Sequence, residues 1–385
     1  MHKPWVLAGS SLPFQALPLA GGTWRGPAPE DAQAEQALAR SGWTFLGTLP
    51  DGAGLYRPPL TVQESPVPVD LRPQSAAWIL ARLEAGFAAM AEPLPEPKFL
   101  AILNLSPDSF SDGGQASSAH LGAGKHALLY RAQCLIAEGA DWLDLGAEST
   151  RPGAQAVPAE EQLARLLPAI EALSILDIPL SVDTRNGEVA KRCLAEGVSM
   201  INDVSALDDP DMTEVLAASE VPLVLMHMRG TPETMQEQCQ YQHLLGEIAD
   251  ELMEKVGKAQ AAGIDPSRLI LDPGIGFAKN PVQSQSLLVE GGSLRALGFP
   301  LLFGPSRKSF MAGPLPGKQP HQRDGGTAGA AALCAHQGAS WIRLHRGGRI
   351  WDAVRVASAC AAQATAPYAI QTESPARPVP AEVRS

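Results

Sequence analysis

The sequence repeats one unit eight times: a short apolar run that stops at a polar residue, followed by a stretch with helical periodicity. The apolar runs are Phe99–Leu103, Trp142–Leu145, Pro179–Val182, Ser199–Ile201, Leu223–Met226, Leu269–Leu271, Leu301–Phe303 and Trp341–Leu344. The amphipathic stretches between them include Gly124–Glu138, Ala159–Leu176, Gly187–Glu196, His243–Ala262, Gly326–His336 and Ile350–Ala362. Short apolar runs that alternate with helices are typical of strands buried in a parallel sheet. The repeat therefore predicts an α/β fold, a (β/α)8 TIM barrel.

A doubly wound open sheet is the second fold compatible with alternating strands and helices. Such a sheet commonly carries a glycine-rich phosphate loop with the pattern GxGxxG directly after its first strand. The residues after Phe99–Leu103 read NLSPDSFSDGG and lack this pattern. We therefore prefer the barrel.

The first part of the chain differs from the repeat, and we divide the sequence into three regions. Residues 1–97 are rich in proline, carry four of the seven tryptophans and contain only short candidate strands, so we predict a small N-terminal α+β extension. We interpret its tryptophans as core residues and the extension as a packing or oligomerisation appendage. Residues 98–370 form the predicted barrel, and residues 371–385 form a predicted flexible tail.

Charge and composition exclude several classes of function. The net charge of −11 argues against a nucleic-acid surface, so an anionic substrate would need a local positive pocket. No apolar run approaches the length that a membrane span requires. The five cysteines are scattered and form no CxxC pair, which predicts reduced thiols and a cytoplasmic setting.

Polar residues follow the apolar runs and would share one rim if the barrel forms. Any single Asp or Asn at a strand end is commonly a helix N-cap, and Asp183 is open to that interpretation. A cap does not explain amides and carboxylates after four runs together with cations after three others, because these groups would meet at one rim. The polar groups are Asn104, Asp183, Asn202 and Asp272, and the positively charged or basic groups are Arg151, Lys308, Arg343 and His345. This division suits a flat heterocycle with a donor edge and an anionic leaving group.

Seven motifs carry a resemblance to a known family. They read LNLSPDSFSDGG, GADWLDLGAESTRPGA, SVDTRNGEVAKRCLAEGVSMINDVSAL, LMHMRGTPETMQ, LILDPGIGFAKN, GPSRKSF and GASWIRLH. In this order they resemble the dihydropteroate synthase family over roughly residues 98–362, leaving residues 1–97 outside. The resemblance implies a transferase of folate biosynthesis that joins p-aminobenzoate to 6-hydroxymethyl-7,8-dihydropterin diphosphate and releases 7,8-dihydropteroate and pyrophosphate. It also implies a homodimer and a sulfonamide target.

The resemblance assigns roles residue by residue. The pterin would contact Asp183, Asn202, Met226, Asp272, Phe277 and Lys308, and Gly304 is a further predicted substrate-binding residue. The diphosphate would contact Thr150, Arg343 and His345, with Mg²⁺ held by Asn104, and Arg151 is a further predicted substrate-binding residue. The p-aminobenzoate pocket would contain Phe110, Pro152, Lys308 and Ser309. The catalytic set would be Asp108, Asp112, Lys308, Arg343 and His345, with Asp108 and Asp112 near a developing cation.

Two alternatives and one departure stay open at this point. A methyltransferase that passes a methyl group from a folate to a corrinoid shares the pterin-binding barrel but has no need for Arg151 and Lys308. A non-catalytic pterin-binding paralogue is the other alternative. Arg346 follows His345 where the family usually has an acidic residue, which would add positive charge beside the diphosphate. We interpret His227 as a packed, hydrogen-bonded structural residue.

Overall fold

Eight parallel strands form the central sheet of the protein, and each begins within two residues of a predicted apolar run. The structure is a computed structural model that describes residues 17–19, 23–49, 51–57, 83, 85–86, 88–105, 121–151 and 153–365. The strands are β5 (Lys98–Asn104), β6 (Trp142–Gly146), β7 (Leu180–Asp183), β8 (Met200–Asp203), β9 (Leu223–Met226), β10 (Leu269–Asp272), β11 (Leu302–Phe303) and β12 (Trp341–Leu344). The predicted fold class is therefore confirmed.

The strand order shows a closed barrel and excludes the open doubly wound sheet. Hydrogen-bonded neighbours run β10-β9-β8-β7-β6-β5-β12-β11, so consecutive strands are adjacent, and β12 pairs with β5. An isolated parallel bridge between Leu271 and Leu301 joins the two ends of this order. The amide of Leu271 donates to the carbonyl of Pro300 at 2.9 Å across the same seam.

Alternation along each strand separates two sets of side chains. Outward residues such as Leu143, Leu225 and Ile342 join the continuous apolar layer between the strands and the helices. Inward residues at the amino-terminal end of the barrel form a separate apolar plug, which contains Leu100, Met200, Val224, Ile270, Leu302 and Trp341. Side chains alternate with period two, and the inward positions nearer the carboxyl ends include Asn104, Asp144, Asp183, Asn202, Asp272 and Arg343. That end of the barrel holds the candidate site.

Eight helices follow the strands in the described part of the barrel. They are α2 (Leu121–Ala137), α3 (Ala159–Leu173), α4 (Gly187–Ala195), α5 (Pro210–Ala217), α6 (Leu244–Ala261), α7 (Pro281–Glu290), α8 (Asp324–His336) and α9 (Arg349–Thr365). The predicted stretches did not include α5 and α7, because α5 is short and α7 buries only three of its residues. No helix among the described residues has the length and apolar character of a membrane span.

The described part of the N-terminal extension is a small antiparallel sheet with one helix. The sheet order is β1 (Leu17–Pro18), β2 (Trp24–Gly26), β4 (Gly54–Arg57) and β3 (Thr44–Thr48), and helix α1 spans Ala32–Arg40. Trp24 and Trp43 are buried and meet edge to face, with ring centroids 5.9 Å apart. Their interpretation as core residues is thus confirmed, whereas Trp5 and Trp78 lie outside the described residues.

The extension packs against the outside of the barrel. Its buried apolar residues belong to the same continuous core as the outer face of the barrel strands. Arg25, which is 1% exposed, pairs with Asp51 of the extension at 3.2 Å and with Asp250 of α6 at 3.3 Å. The division at residues 97 and 98 remains a prediction, and the tail predicted for 371–385 lies outside the described residues.

Candidate active site

Arg343 lies at the centre of the polar end of the barrel and binds two buried carboxylates. Its Nε donates to Asp144 Oδ2 at 2.6 Å, and its Nη2 donates to Asp183 Oδ2 at 2.7 Å. Asn202 Nδ2 also donates to Asp144 Oδ2, at 3.3 Å. All four residues occupy inward positions of β6, β7, β8 and β12. The strands therefore bring Asp183, Asn202 and Arg343 together, as the sequence predicts.

Asp144 and Asp183 share a single cation, the guanidinium of Arg343. Burial raises the pKa of Asp183 to about 7; Arg343 opposes this shift, whereas Asp144 adds to it. A buried carboxyl group with a pKa near neutrality is a frequent property of functional sites. The group is able to exchange a proton, or to bind a ligand that supplies N–H donors.

Asp272 ends β10 and is 6% exposed. Its Oδ1 accepts a hydrogen bond from the backbone amide of Gly274 at 2.7 Å. Burial raises the pKa of Asp272, and Lys308, the Gly274 amide and Lys279 oppose that shift. Oδ2 accepts no hydrogen bond from the described residues, so it is available to a ligand. Met226 is the register partner of Asp272 on β9 and is also buried.

Lys308 lies in the loop after β11, and its side chain contacts the loop after β10. Its Nζ lies 4.5 Å from the centroid of the Phe277 ring and donates to the carbonyl of Ile275. A side chain at Gly304 would bring its Cβ to 3.7 Å from this ammonium. Burial lowers the pKa of Lys308 to about 8, and Asp272 opposes the shift. Lys308, Phe277, Gly304 and Asp272 thus form one group, as predicted.

Asn104 ends β5 beside the carboxylate pair. Its register partner is Gly146, and a Cβ at Gly146 would lie 3.5 Å from Asn104 Oδ1 and 3.8 Å from the Cβ of Asp183. Glycine at position 146 therefore leaves space for the side-chain amide of Asn104. The described residues contain no group of three or more His, Cys, Asp and Glu side chains able to hold a metal ion.

His345 follows β12 and makes a hydrogen bond rather than supplying charge. Its Nδ1 lies 2.9 Å from Ser306 Oγ. The pKa of His345 lies well below its usual range, because the ring is shielded from water and faces Arg307, Arg343 and Arg151. The expectation that His345 adds positive charge at the rim is therefore corrected: the imidazole is neutral at pH 7.

Arg346 does not join the cations of the rim. Its guanidinium pairs with Glu138 at 3.2 Å, and its side chain is 58% exposed. The amide of Gly347 donates to the same carboxylate at 2.8 Å. The charge of Arg346 is therefore directed to Glu138, and the expectation that it adds positive charge beside the diphosphate is corrected.

The remaining predicted site residues fall into two groups. Thr150 is half-buried, whereas Arg151 and Ser309 are exposed. Arg151 lies close enough to His345 to lower its pKa. The other group, Phe110, Asp108, Asp112 and Pro152, lies outside the described residues, so their predicted roles remain predictions.

Sequence reasoning missed two buried residues of this region. Asp144 sits inside the apolar run of β6, where its only signal is a charged residue at an inward position. Lys279, in the loop after β10, is only 2% exposed. Its Nζ lies 2.9 Å from Nδ1 of His227. His227 is fully buried and bonds Glu251 at 3.0 Å, which confirms its structural interpretation.

Comparisons with known proteins place this barrel in one family. The sequence profile of the family "Pterin binding enzyme" matches residues 100–345. A dihydropteroate synthase of Synechocystis is 42% identical over 248 residues, which are 64% of this chain and 84% of that protein. The Yersinia pestis dihydropteroate synthase, solved with a sulfonamide drug, has a TM-score of 0.64 and 38% identity and covers 69% of this chain and 94% of its own.

A further solved structure gives the same result. The Xanthomonas albilineans dihydropteroate synthase with 4-aminobenzoic acid has a TM-score of 0.63 and 40% identity, covering 69% of this chain and 93% of its own. In all three comparisons the match spans most of the relative, and the profile match falls on the barrel. The chain therefore belongs to the pterin-binding enzyme family and, within it, to the dihydropteroate synthases.

Proposed function

We propose that this chain condenses 6-hydroxymethyl-7,8-dihydropterin diphosphate with p-aminobenzoate, giving 7,8-dihydropteroate and pyrophosphate, with its reacting groups at the polar end of the barrel. The observation that carries this assignment is one buried cluster, in which Asp183, Asn202 and Asp272 lie beside Lys308 and Arg343. The cluster thus combines hydrogen-bond acceptors that suit the pterin ring with positively charged donors that suit the diphosphate. The family relationship supplies the reaction.

The pterin would lie against the buried acceptors. The free Oδ2 of Asp272 is suited to accept N–H groups from the amino-pyrimidine edge, because a carboxylate accepts two parallel hydrogen bonds well. Asp183 and Asn202 would bind further polar atoms of the ring. Met226 and Phe277 would cover its faces, and Lys308, which lies over Phe277, would donate to a ring acceptor.

The diphosphate would lie nearer β12. Arg343 donates through Nε and Nη2, but its Nη1 makes no hydrogen bond with the described residues, so this nitrogen is free to bind a phosphate oxygen. His345, Thr150 and Arg151 would bind the remaining oxygens. Because His345 is neutral, it would act as a hydrogen-bond donor and not as a counter-ion.

Mg²⁺ fits this end of the site with Asn104 as its protein ligand. An amide oxygen is a ligand that Mg²⁺ accepts, and this ion commonly completes its shell with substrate phosphates and water. The Asn104 amide makes no hydrogen bond with the described residues, so its oxygen is free to coordinate. When bound, the ion would neutralise part of the charge of the diphosphate.

The chemistry needs no strong base among these residues. The arylamine nitrogen of p-aminobenzoate is neutral at pH 7, and it would form a bond to the exocyclic methylene carbon after the bond from that carbon to the diphosphate oxygen has largely broken. The amine then loses a proton to solvent. The electron-rich pterin stabilises positive charge on the methylene, so we propose a dissociative displacement, with Asp108 and Asp112 near the cation. Arg343 would stabilise the departing anion.

The p-aminobenzoate would enter from the loop side, beside Lys308 and Ser309. Ser309 follows Lys308 in the chain and is exposed, so its hydroxyl group would be accessible to a ligand that enters from this side. Phe110 and Pro152 would complete this pocket. A sulfonamide, which resembles p-aminobenzoate, would be expected to compete there.

The assignment is tested by measuring pyrophosphate release from the pterin diphosphate, with and without p-aminobenzoate. We expect release that depends on both substrates and a loss of about a hundredfold in kcat/KM for Asp272→Asn. Two hydrogen bonds to a charged group contribute roughly 3 kcal/mol or more, and each 1.4 kcal/mol is a factor of ten. Asp352→Asn, at an exposed position of α9, serves as the control and should retain full activity.

The two alternative functions give different results in the same assay. A non-catalytic paralogue would bind the pterin diphosphate without releasing pyrophosphate. A folate:corrinoid methyltransferase would also release none, but would transfer a methyl group to a corrinoid. Either result with the intact protein would contradict the proposed reaction.

We also propose that the chain forms a homodimer through α7, α8 and α9. These neighbouring helices carry large apolar side chains that are exposed, namely Val289 (60%), Leu333 (44%) and Val356 (65%). Val289→Asp combined with Val356→Asp should convert a dimer into a monomer in sedimentation velocity, because a charge in an apolar interface is costly. Ile175→Asp, at an exposed apolar position after α3, should leave the dimer intact. A monomeric wild-type protein would contradict the proposal.

A cytoplasmic location is the last part of the proposal. All five cysteines are unpaired: Cys193 and Cys334 are buried, and Cys360 is exposed. Unpaired thiols are typical of proteins kept in a reducing compartment.

A further inference from the structure

The loop that follows Asp272 is held through four consecutive carbonyl groups. Each carbonyl of residues 275–278 accepts a hydrogen bond from a different side chain. In chain order the donors are Lys308, Gln236 at 3.0 Å, Lys279 at 2.9 Å and Tyr241 at 2.9 Å. Three donors come from other segments, so the loop is fixed by its surroundings.

The backbone of this loop needs such restraint. Gly274 has φ +71°, Gly276 has φ +82°, and Ala278, which carries a side chain, has φ +48°. A Cβ at Gly274 would lie 2.0 Å from the carbonyl oxygen of His227, so only glycine fits there. A backbone in this region persists only where neighbouring groups over-determine it. Phe277, whose carbonyl is one of the four, therefore depends on the donors for its position.

Lys279 is the most deeply buried of these donors, and its ammonium is also bound by His227. Its Nζ donates to the Phe277 carbonyl and to His227 Nδ1, both at 2.9 Å. Because Nδ1 accepts, the proton of the neutral imidazole is on Nε2 and is donated to Glu251 at 3.0 Å. Glu251 in turn accepts from Arg229 Nε at 2.9 Å. These residues form a continuous chain from α6 to the loop.

The same ammonium acts on Asp272 through space. The charged groups that face Asp272 are Lys308, Lys279 and Arg343, with the thiol of Cys334 also near. Burial lowers the pKa of Lys279 to about 7, against the attraction of Asp272 and Glu251 and together with the repulsion of Lys308 and Arg229. Below pH 7 the lysine is therefore charged and favours the carboxylate form of Asp272.

We propose that Lys279 is a positioning residue for the pterin: anchored by His227 and Glu251, it fixes Phe277 and places a second positive charge beside the carboxylate of Asp272. Lys279 itself does not reach the substrate, because it is buried behind the loop. The inference rests on the proposed function, since it assigns the pterin to Asp272 and Phe277.

Lys279→Met tests the proposal in the full-length protein. KM for the pterin diphosphate should rise on the order of tenfold to a hundredfold, because a small displacement of a binding group costs that much. KM for p-aminobenzoate should change less than twofold. Removing a positive charge raises the pKa of Asp272, so the acid limb of kcat/KM for the pterin should move to higher pH.

The pKa of Asp183 is raised to about 7, so its contribution to the pH profile has to be distinguished from that of Asp272. The charged groups that act on Asp183 include Arg343, Asp144, Glu148, Asp203 and Lys308, whereas Lys279 is not among the main causes of its pKa shift. The contribution of Asp183 to the pH profile should therefore stay in place. Lys279→Arg keeps the charge and should restore the position of the acid limb even where KM stays raised.

Two further variants keep the test decisive. Glu251→Gln weakens the anchor without removing Lys279, and it should raise the pterin KM by a smaller factor. Arg295→Met is the matched control, because Arg295 also donates to a main-chain carbonyl, that of Glu92 at 2.8 Å, away from the site. It should lower the melting temperature and leave both KM values unchanged.

The outcomes separate this inference from the proposed function. A wild-type enzyme that releases no pyrophosphate would contradict the proposed reaction. An active wild type whose Lys279→Met and Glu251→Gln variants keep the pterin KM within twofold, with an unmoved acid limb, would overturn the role of Lys279 alone.

Discussion

Replacing Arg343 with alanine should lower kcat/KM by roughly a hundredfold to a thousandfold and should also destabilise the fold. The loss of activity is that of removing one preorganised donor to a developing anion, about 2.7–4 kcal/mol. The loss of stability arises because Asp144 and Asp183, 0% and 7% exposed at their side chains, would lose their cation. Breaking a buried pair by removing one partner costs about 3–5 kcal/mol. Steady-state kinetics and urea unfolding measure the two effects.

The two effects of Arg343 can be separated with further variants. Combining Arg343→Ala with Asp144→Asn removes one of the stranded charges, so part of the stability should return while activity stays low. Arg346→Ala removes a neighbouring arginine whose pair with Glu138 is exposed, and it should alter neither quantity by more than about 0.5 kcal/mol. Wild-type turnover by Arg343→Ala would contradict the assigned role.

Replacing Arg25 with methionine should lower the free energy of unfolding by about 3 kcal/mol. The guanidinium is buried between Asp51 and Asp250, whose side chains are 8% and 16% exposed, so its removal leaves two carboxylates facing each other. The pair joins the extension to α6. The approach is close enough that a Cβ at Gly246 would lie 2.4 Å from the guanidinium carbon. Urea unfolding monitored by tryptophan fluorescence measures the change.

The control for Arg25 lies in the same sheet. Arg57 ends β4 and is exposed, so Arg57→Met should change the free energy of unfolding by no more than about 0.5 kcal/mol. If Arg25→Met proves equally neutral, the extension does not depend on this ion pair for its attachment. A large effect would support a packing role for the extension, which is how the sequence is interpreted.

The barrel could be predicted because its signal is local. Leu223–Met226 and Trp341–Leu344 begin and end where their apolar runs do, since a strand buried on both faces needs only consecutive apolar residues. Asp272 and Asn202 were found because they directly follow such runs and parallel strands end at one rim. Helix α7 was missed because its burial is confined to Ser284, Leu287 and Leu288 and gives a weak helical pattern.

The charge states and partners within the site could not be predicted in this way. Asp144 lies inside an apolar run, and its partner Arg343 is 199 residues away. Lys279 and His227 are 52 residues apart and meet behind the loop after β10. His345 is a candidate cation in the sequence, but burial and four surrounding arginines lower the pKa of its imidazole and keep it neutral.

By itself, the sequence determined the eight strands, the rim on which the polar residues gather and the family to which the chain belongs. Only the tertiary structure decided that Arg343 is bound by two carboxylates, that His345 is neutral and that Lys279 supports the loop of Asp272. The physical reason is that strand formation depends on neighbouring residues, whereas ion pairing and protonation depend on distance and burial across the barrel. Those quantities exist only after distant segments have packed together.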